Sequence, residues 1–265
     1  MGWLGRTFWG LVLIVPWLLV TRAATASTNS LPDSDFIVER FIERLKAGNS
    51  KQSTNHYQYH RYTLFQELNR HGETNKNHLL THLVVVQNGD EKATLEKVDN
   101  RTPTHKELKA DAEDNAPPSD KDRKGHQDEE TDGITEEVVR CFHYQVVGTE
   151  MCQGRNAYCV VFQPIKGKKL SKSQKYLSAL AGKAWVDSSD YEPIKIEAQL
   201  KEPIELLGGI AGAIKHFEIL IQRRRLNETI WDNDLVEGHF ELRKLFTTSR
   251  GHFQVRQEDF QLLSP

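Results

Sequence analysis

Residues Lys183 to Ala198 constrain the fold more than any other stretch of this chain. Ala184 and Val186 alternate with Lys183, Trp185 and Asp187; Ile194, Ile196 and Ala198 then alternate with Lys195, Glu197 and Gln199. Alternation of period two on both arms predicts a strand pair with one face buried and the other wet. Ser188-Ser189-Asp190 supplies the turn, because short polar side chains bond back to their own backbone. Pro193 has no N–H to give a ladder, so it belongs at a strand start or an edge. Similar strands lie on both sides of it in the chain, which places this hairpin in the middle of a large antiparallel sheet.

The chain has 265 residues, room for one large β domain or two small ones. Charged residues make up 27% of it and the formal net charge is −2, a balance that offers no field suited to nucleic acid. Mean hydropathy is −0.59, low enough to imply a polar segment outside the core. At the start, Arg6 precedes an apolar run from Phe8 to Val20, and Ala24-Thr25-Ala26 has the small-x-small form read by signal peptidase. Residues 1–26 are therefore expected to be a signal peptide, with residues 27–265 forming the mature domain. The three cysteines, Cys141, Cys152 and Cys159, are too few for a disulfide scaffold and are expected as buried thiols with at most one bridge.

In chain order, Leu31 to Asn49 reads as a helix capped by Asp33 or Ser34. Its apolar stripe is Phe36, Ile37, Val38, Phe41, Ile42 and Leu45, and Gly48-Asn49 supplies a left-handed stop. That helix either packs on the sheet or plugs its open side. Strands are predicted at His56–Leu68, His78–Gln87, Val138–Val147 and Tyr158–Phe162. Further strands are predicted at Phe217–Ile221, around Val236, Phe240, Leu242 and Phe246, and at Phe253–Leu262. His56/His60 and His78/His82 are four apart, but on a strand that is about 13 Å, too far to share an ion, and no neighbouring pattern completes a tetrahedral set. No metal site is expected. Asp99 to Gly133 is charged and nearly devoid of large apolar residues, so it is expected as a solvated insertion with at most a short helix near Lys106 to Asp114, dispensable for folding. The basic loop Lys166 to Ser173 fits either solvation or contact with anionic lipid headgroups. The apolar, glycine-rich Ile204 to Ile214 matches no phosphate loop and needs cover or a ligand.

The order signal peptide, helix, antiparallel strands resembles the outer-membrane lipoprotein-sorting, LolA-like proteins, and looks most like the exported members common in acidobacteria. Gly182, Trp185, Val186 and Asp187 match a Gly-x-x-Trp-Ile-Asp strand with Val for Ile. Tyr191 matches the tyrosine after that strand, and Ile194, Ile196 and Glu197 match its apolar-x-apolar-Glu partner strand. The resemblance implies a mainly β, strongly curved, incompletely closed antiparallel barrel with a helical cap and an apolar concave side. It also implies a periplasmic carrier that holds acyl chains of lipids or lipoproteins, or an envelope sensor that binds another protein. No arginine here aligns with the cavity arginine of the lipoprotein carriers, and the long insertion is a second departure.

The functional expectation is a monomeric, non-enzymatic binding protein of the periplasm. No cofactor is implied, since the chain has no Gly-x-Ser-x-Gly elbow, no His-Glu-x-x-His and no paired-Cys motif. Peripheral membrane contact is compatible with this reading. The residues expected at the ligand are Trp185, Leu206, Ile210, Ile214, Phe217 and Ile219. Asp187 and Asp190 are read as hairpin turn chemistry rather than as a catalytic pair.

Overall fold

The computed structural model describes residues 31–51, 56–87, 90–114, 135–170, 173–206, 212–228, 230–245 and 247–263. The apolar run and the cleavage site after Ala26 lie outside them, as do Ile210, Phe246 and the Asn88-Gly89 turn. Helix α1 spans Ser34–Lys51. Asp33 caps it: its Oδ1 accepts from the Asp35 N–H at 2.8 Å, and its carbonyl accepts from the Ile37 N–H. The stripe buries Ile37 and Ile42 and leaves Phe36 exposed. The expected stop at Gly48-Asn49 does not form, and the helix runs through both residues to Lys51. Glycine costs a helix interior only about 1 kcal/mol, so it permits a stop without enforcing one.

The strands are β1 (His56–Leu68), β2 (Thr74–Gln87), β3 (Asp90–Val98), β4 (Phe142–Cys152), β5 (Arg155–Pro164), β6 (Leu180–Asp187), β7 (Pro193–Leu200), β8 (Ile204–Leu206), β9 (Gly212–Arg225), β10 (Trp231–Lys244) and β11 (Thr247–Leu262). They form one antiparallel sheet in the order β3-β2-β1-β11-β10-β9-β7-β6-β5-β4, with β8 added to β9. The last strand pairs with the first, Thr63 opposite Val255 and Phe65 opposite Phe253, so the two ends of the domain are stitched at mid-sheet. Strands β3 and β4 are the two ends of the order, and the sheet is open between them. The fold is the mainly β, incompletely closed antiparallel architecture with a helical cap that the resemblance implied.

The hairpin Lys183–Ala198 is β6 and β7, and Pro193 begins β7. Its one-wet-face expectation is overturned at the turn end, where Trp185 and Asp187 are buried as well as Val186. Alternation along β6 is unbroken, but a second core covers the far face there. A bulge on β7 adds to it: Trp185 stands opposite Lys195, but Val186 stands opposite Pro193. Ile194 is the extra residue, and it leaves the face of Ile196 to join Cys152, Ala157, Cys159, Trp185 and Trp231. Both faces thus carry a core. The opposite one groups Ile37 of α1 with Val160 and Val186.

Two further expectations are corrected. Val138 and Val139 lie in a helical turn, α3 (Glu136–Val139), capped by Thr135, and the strand begins only at Phe142. The charged stretch does not begin as a solvated loop. Helix α2 (His105–Asp114) forms where the short helix was expected, with Glu107 bonded to Thr104 and Arg101. Asp111 bonds His82, a β2 residue only 4% exposed, at 2.7 Å. This bond ties a polar helix to the sheet, beside the pairing of Glu107 with Arg101. Residues 115–134 lie outside the described residues.

All three cysteines are free and buried. Gln153 and Gly154, both at positive φ, make the two-residue turn between β4 and β5, which puts Cys152 opposite Arg155 and Cys159 opposite Gly148.

Candidate functional site

Register fixes which residues share the helix-covered face. Val160 stands opposite Ala184, Ala184 opposite Ile196, Ile196 opposite Ile221, and Ala198 opposite Ile219. Each is a small or branched apolar side chain, so the row forms an apolar floor across β5, β6, β7 and β9. Gly182 continues it: a Cβ there would stand 2.6 Å from the Phe162 ring, so only glycine lets that ring lie across the strand.

Above the floor lies a cavity of 330 Å³, within the roughly 300–1,000 Å³ usual for small-molecule sites. Its roof is α1, through Ile37, Val38 and Phe41, and its sides are α3, Phe142 and Tyr144 of β4, and Tyr176 and Leu177 of the 3-10 helix Ser173–Ala179. Three ion pairs and one ring contact hold the roof. Glu39 pairs with Arg140 at 3.0 Å, Lys46 with Glu136 at 2.8 Å, Arg44 with Glu192 at 3.6 Å, and Phe36 meets Tyr191 edge-on. Tyr176 lines the cavity yet is 46% exposed, so the cavity reaches the surface beside the 3-10 helix.

Among the described residues, no charged side chain lines this space. Their polar side-chain atoms there are two tyrosine hydroxyls, and that of Tyr144 is already engaged in donating to the Val139 carbonyl at 2.8 Å. Burial pushes the Tyr144 hydroxyl above its ordinary value, with a smaller push from Cys141, so it stays protonated. This lining can exclude water and hold apolar groups. Past the cavity the same face continues across β10, β11 and β1. Phe240 stands opposite Phe217 and stacks on Phe65 at 6.0 Å, while Phe253 lies over Gly238.

The expected ligand residues separate into three groups. Phe217 and Ile219 line the cavity. Ile214 pairs with Ile204 of β8 and Leu242 of β10 and is not in the lining; Leu206 pairs with Gly212 in the ladder, and Ile210 lies outside the described residues. Trp185 is on the other face, and its motif role is structural. Its Nε1 donates to Glu150, and the ammonium groups of Lys183 and Lys195 sit 4.2 and 4.4 Å from its ring centre. The Cys159 thiol and Lys183 donate to the same Glu150 oxygen. These bonds, that of Cys159 foremost, hold the carboxylate down at about 2. A depression of 650 Å³ also lies on this face, but Lys183, Glu197, Glu218, Glu237 and His239 line it, the mixed charge of a solvated sheet surface.

Missed by the sequence reading were Val38 and Phe41 as roof, Phe162 and Leu177 as walls, and Ile196, Ala198 and Ile221 as floor. Their apolar periodicity was visible; that β9 lies beside β7, with β8 set apart, was not.

No family model matches the chain, and no curated protein matches it. Solved structures of the LolA-like kind do. One, described as an outer membrane lipoprotein-sorting protein domain from Vibrio parahaemolyticus, is 11% identical over 88% of this chain and 94% of its own, with a TM-score of 0.36. A LolA superfamily protein from Nitrosomonas europaea is 9% identical over 86% and 94%, with a TM-score of 0.30. The Mycobacterium tuberculosis lipoprotein LppX is 9% identical over 88% and 99%, with a TM-score of 0.31. The chain is thus similar to these proteins along most of its length, at a level that transfers no residue role and no activity. None of them bears on the acidobacterial likeness.

Proposed function

We propose that this protein binds an acyl chain of a lipid or lipoprotein in the α1-covered cavity, without catalysing a reaction, and works in the periplasm after export and cleavage behind Ala26. The observation that carries the reading is the lining itself: a cavity of 330 Å³ with no charged side chain among the described residues and the Tyr144 hydroxyl already bonded. Each methylene taken from water into such a site contributes about 0.8 kcal/mol, so a long chain needs no polar contact to bind. The row Phe217, Phe240, Phe65 gives the remainder of a chain an apolar track beyond the cavity. Organic extraction of protein purified from a native envelope fraction, with mass spectrometry of the extract, tests this. Acyl species in a fixed ratio to protein are expected, and a lipid-free extract would count against it. Mass measurement of the same material should show Ser27 as the N-terminus; an intact Met1 on membrane-held protein would contradict export and cleavage.

A second reading, an envelope sensor that binds another protein, is favoured by the free edge of the sheet. On β4, Val147 and Met151 are 49% and 63% exposed beside an edge whose outer side pairs with no described strand. Crosslinking through a photoreactive residue at position 147 in cells would capture such a partner.

A further inference from the structure

We propose that the surface beside the cavity opening docks onto an anionic lipid bilayer, with Lys168, Lys169 and Lys175 as its charged contacts and Tyr176 as its interfacial anchor. The placement of these groups is fixed by the fold. Leu170 packs on the cluster of Cys141, Phe142, Phe162, Leu177 and Ala198, which pins the lysine-bearing loop to the wall of the cavity. Lys168 also donates to the Arg140 carbonyl. Lys168 and Lys175 line one shallow depression with Ser178, Ala179, Pro203 and Ile204. Lys175 adjoins Tyr176, the exposed residue that also lines the cavity.

The rim differs from the ion-paired parts of the sheet, where Lys183 meets Glu150, Lys195 meets Glu197, Arg223 meets Glu192 and Arg250 meets Glu241. Among the described residues, none of the three rim lysines has a carboxylate within ion-pair distance, and the depression contains a single carboxylate, Glu202. Unpaired ammonium groups on long flexible stems suit a diffuse layer of lipid phosphates. A structured acidic protein would be better met by arginine, whose planar fork bonds carboxylates in pairs. An aromatic with an apolar ring and a polar tip belongs at the headgroup level of a membrane. The surface would hold the cavity opening against the bilayer, the place from which an acyl chain enters or leaves. In purpose the proposal rests on the acyl-chain reading of the cavity, and the two are separable by experiment.

The test is sedimentation of the mature chain with phosphatidylcholine vesicles, with and without a minority of phosphatidylglycerol. Binding is expected only to the anionic vesicles and is expected to vanish near 1 M salt, where the screening length is about 3 Å. Each lysine near an anionic surface is worth about a fivefold change in partition, so changing all three to Gln should weaken binding on the order of a hundredfold. Changing all three to Arg should preserve it. All three side chains are at the surface, so circular dichroism should be native in both variants. Equal binding to both vesicle types, no binding to either, or full binding by the Gln variant would overturn the proposal. So would retention on poly-glutamate without sedimentation, which would point to an acidic protein partner. A fluorescent fatty-acid probe added without vesicles separates the two readings: vesicle binding that persists while the wild-type protein ignores the probe would sink the cavity reading alone.

Discussion

Arg155 of β5 and Asp187 at the end of β6 form an ion pair whose carboxylate is 1% exposed and whose guanidinium is about one-third exposed. Asp187 also accepts from the N–H groups of Ser189 and Asp190 at 2.8 Å, so one carboxylate closes the turn and ties it to the neighbouring strand. Arg155 reaches Asp190 as well and lies 5.5 Å above the Trp231 ring. The pair is therefore the joint between the hairpin and the outer core.

Changing Asp187 to Ala should destabilise the domain by about 2–3 kcal/mol, below the range for a wholly buried pair because water reaches Arg155. Burial opposes the charge on Asp187, but the bonds from Arg155, Asp190 and Ser189 outweigh it and hold its pKa below the ordinary 3.8. A carboxylate with a depressed folded pKa adds stability that is present above its unfolded value and lost as pH falls through the folded one. Denaturant unfolding measured from neutral pH to below pH 3 should show this loss in the wild type and a flatter profile in Asp187→Ala. Identical pH profiles would contradict the assignment.

Asp111→Ala should cost about 1–3 kcal/mol, because it leaves His82 buried without its carboxylate. Thermal unfolding measures this directly. An unchanged midpoint would mean that α2 is as dispensable as its composition suggested.

The thiols offer a separate check. Burial first, and then the bond to Glu150, push the Cys159 thiol up to about 11, and burial also raises Cys152. Alkylation at pH 8 should be slow at both in the native protein. After unfolding without reductant, all three cysteines should react. Fewer than three would reveal a bridge and contradict the free thiols.

How far the fold was legible depends on which interaction placed each element. The hairpin, the α1 stripe and the Phe217/Ile219 alternation could be read because burial of one face imposes a period on the chain itself. The burial of Trp185 could not, because the groups that cover its face come from β4, β5 and the start of β10, and no period along β6 records them. Helix α2 was expected from its own residues; its bond to the sheet was not, because composition counts Asp111 and buried His82 as two polar residues. The cavity was half legible. Its apolar residues were all visible as periodic positions, but their convergence depends on strand order and on α1 lying over β4 to β7, which are long-range pairings. Leu206 and Ile214 were expected at the ligand because they belong to an apolar, glycine-rich stretch, whereas their backbone is committed to the β8–β9 ladder.

The most direct test of the central claim uses two neighbours on β9. Ile219 lines the cavity, and Leu220 faces the opposite side of the sheet. Binding of a fluorescent long-chain fatty-acid probe should be measured for the wild type, Ile219→Trp and Leu220→Ala, with circular dichroism on each. The account predicts saturable binding by the wild type, a loss of tenfold or so in Ile219→Trp, where the indole occupies the space, and near-wild-type affinity in Leu220→Ala, about one pocket side chain's worth of discrimination. A folded Ile219→Trp variant that binds the probe as well as the wild type would contradict it, as would a wild-type protein that never binds the probe.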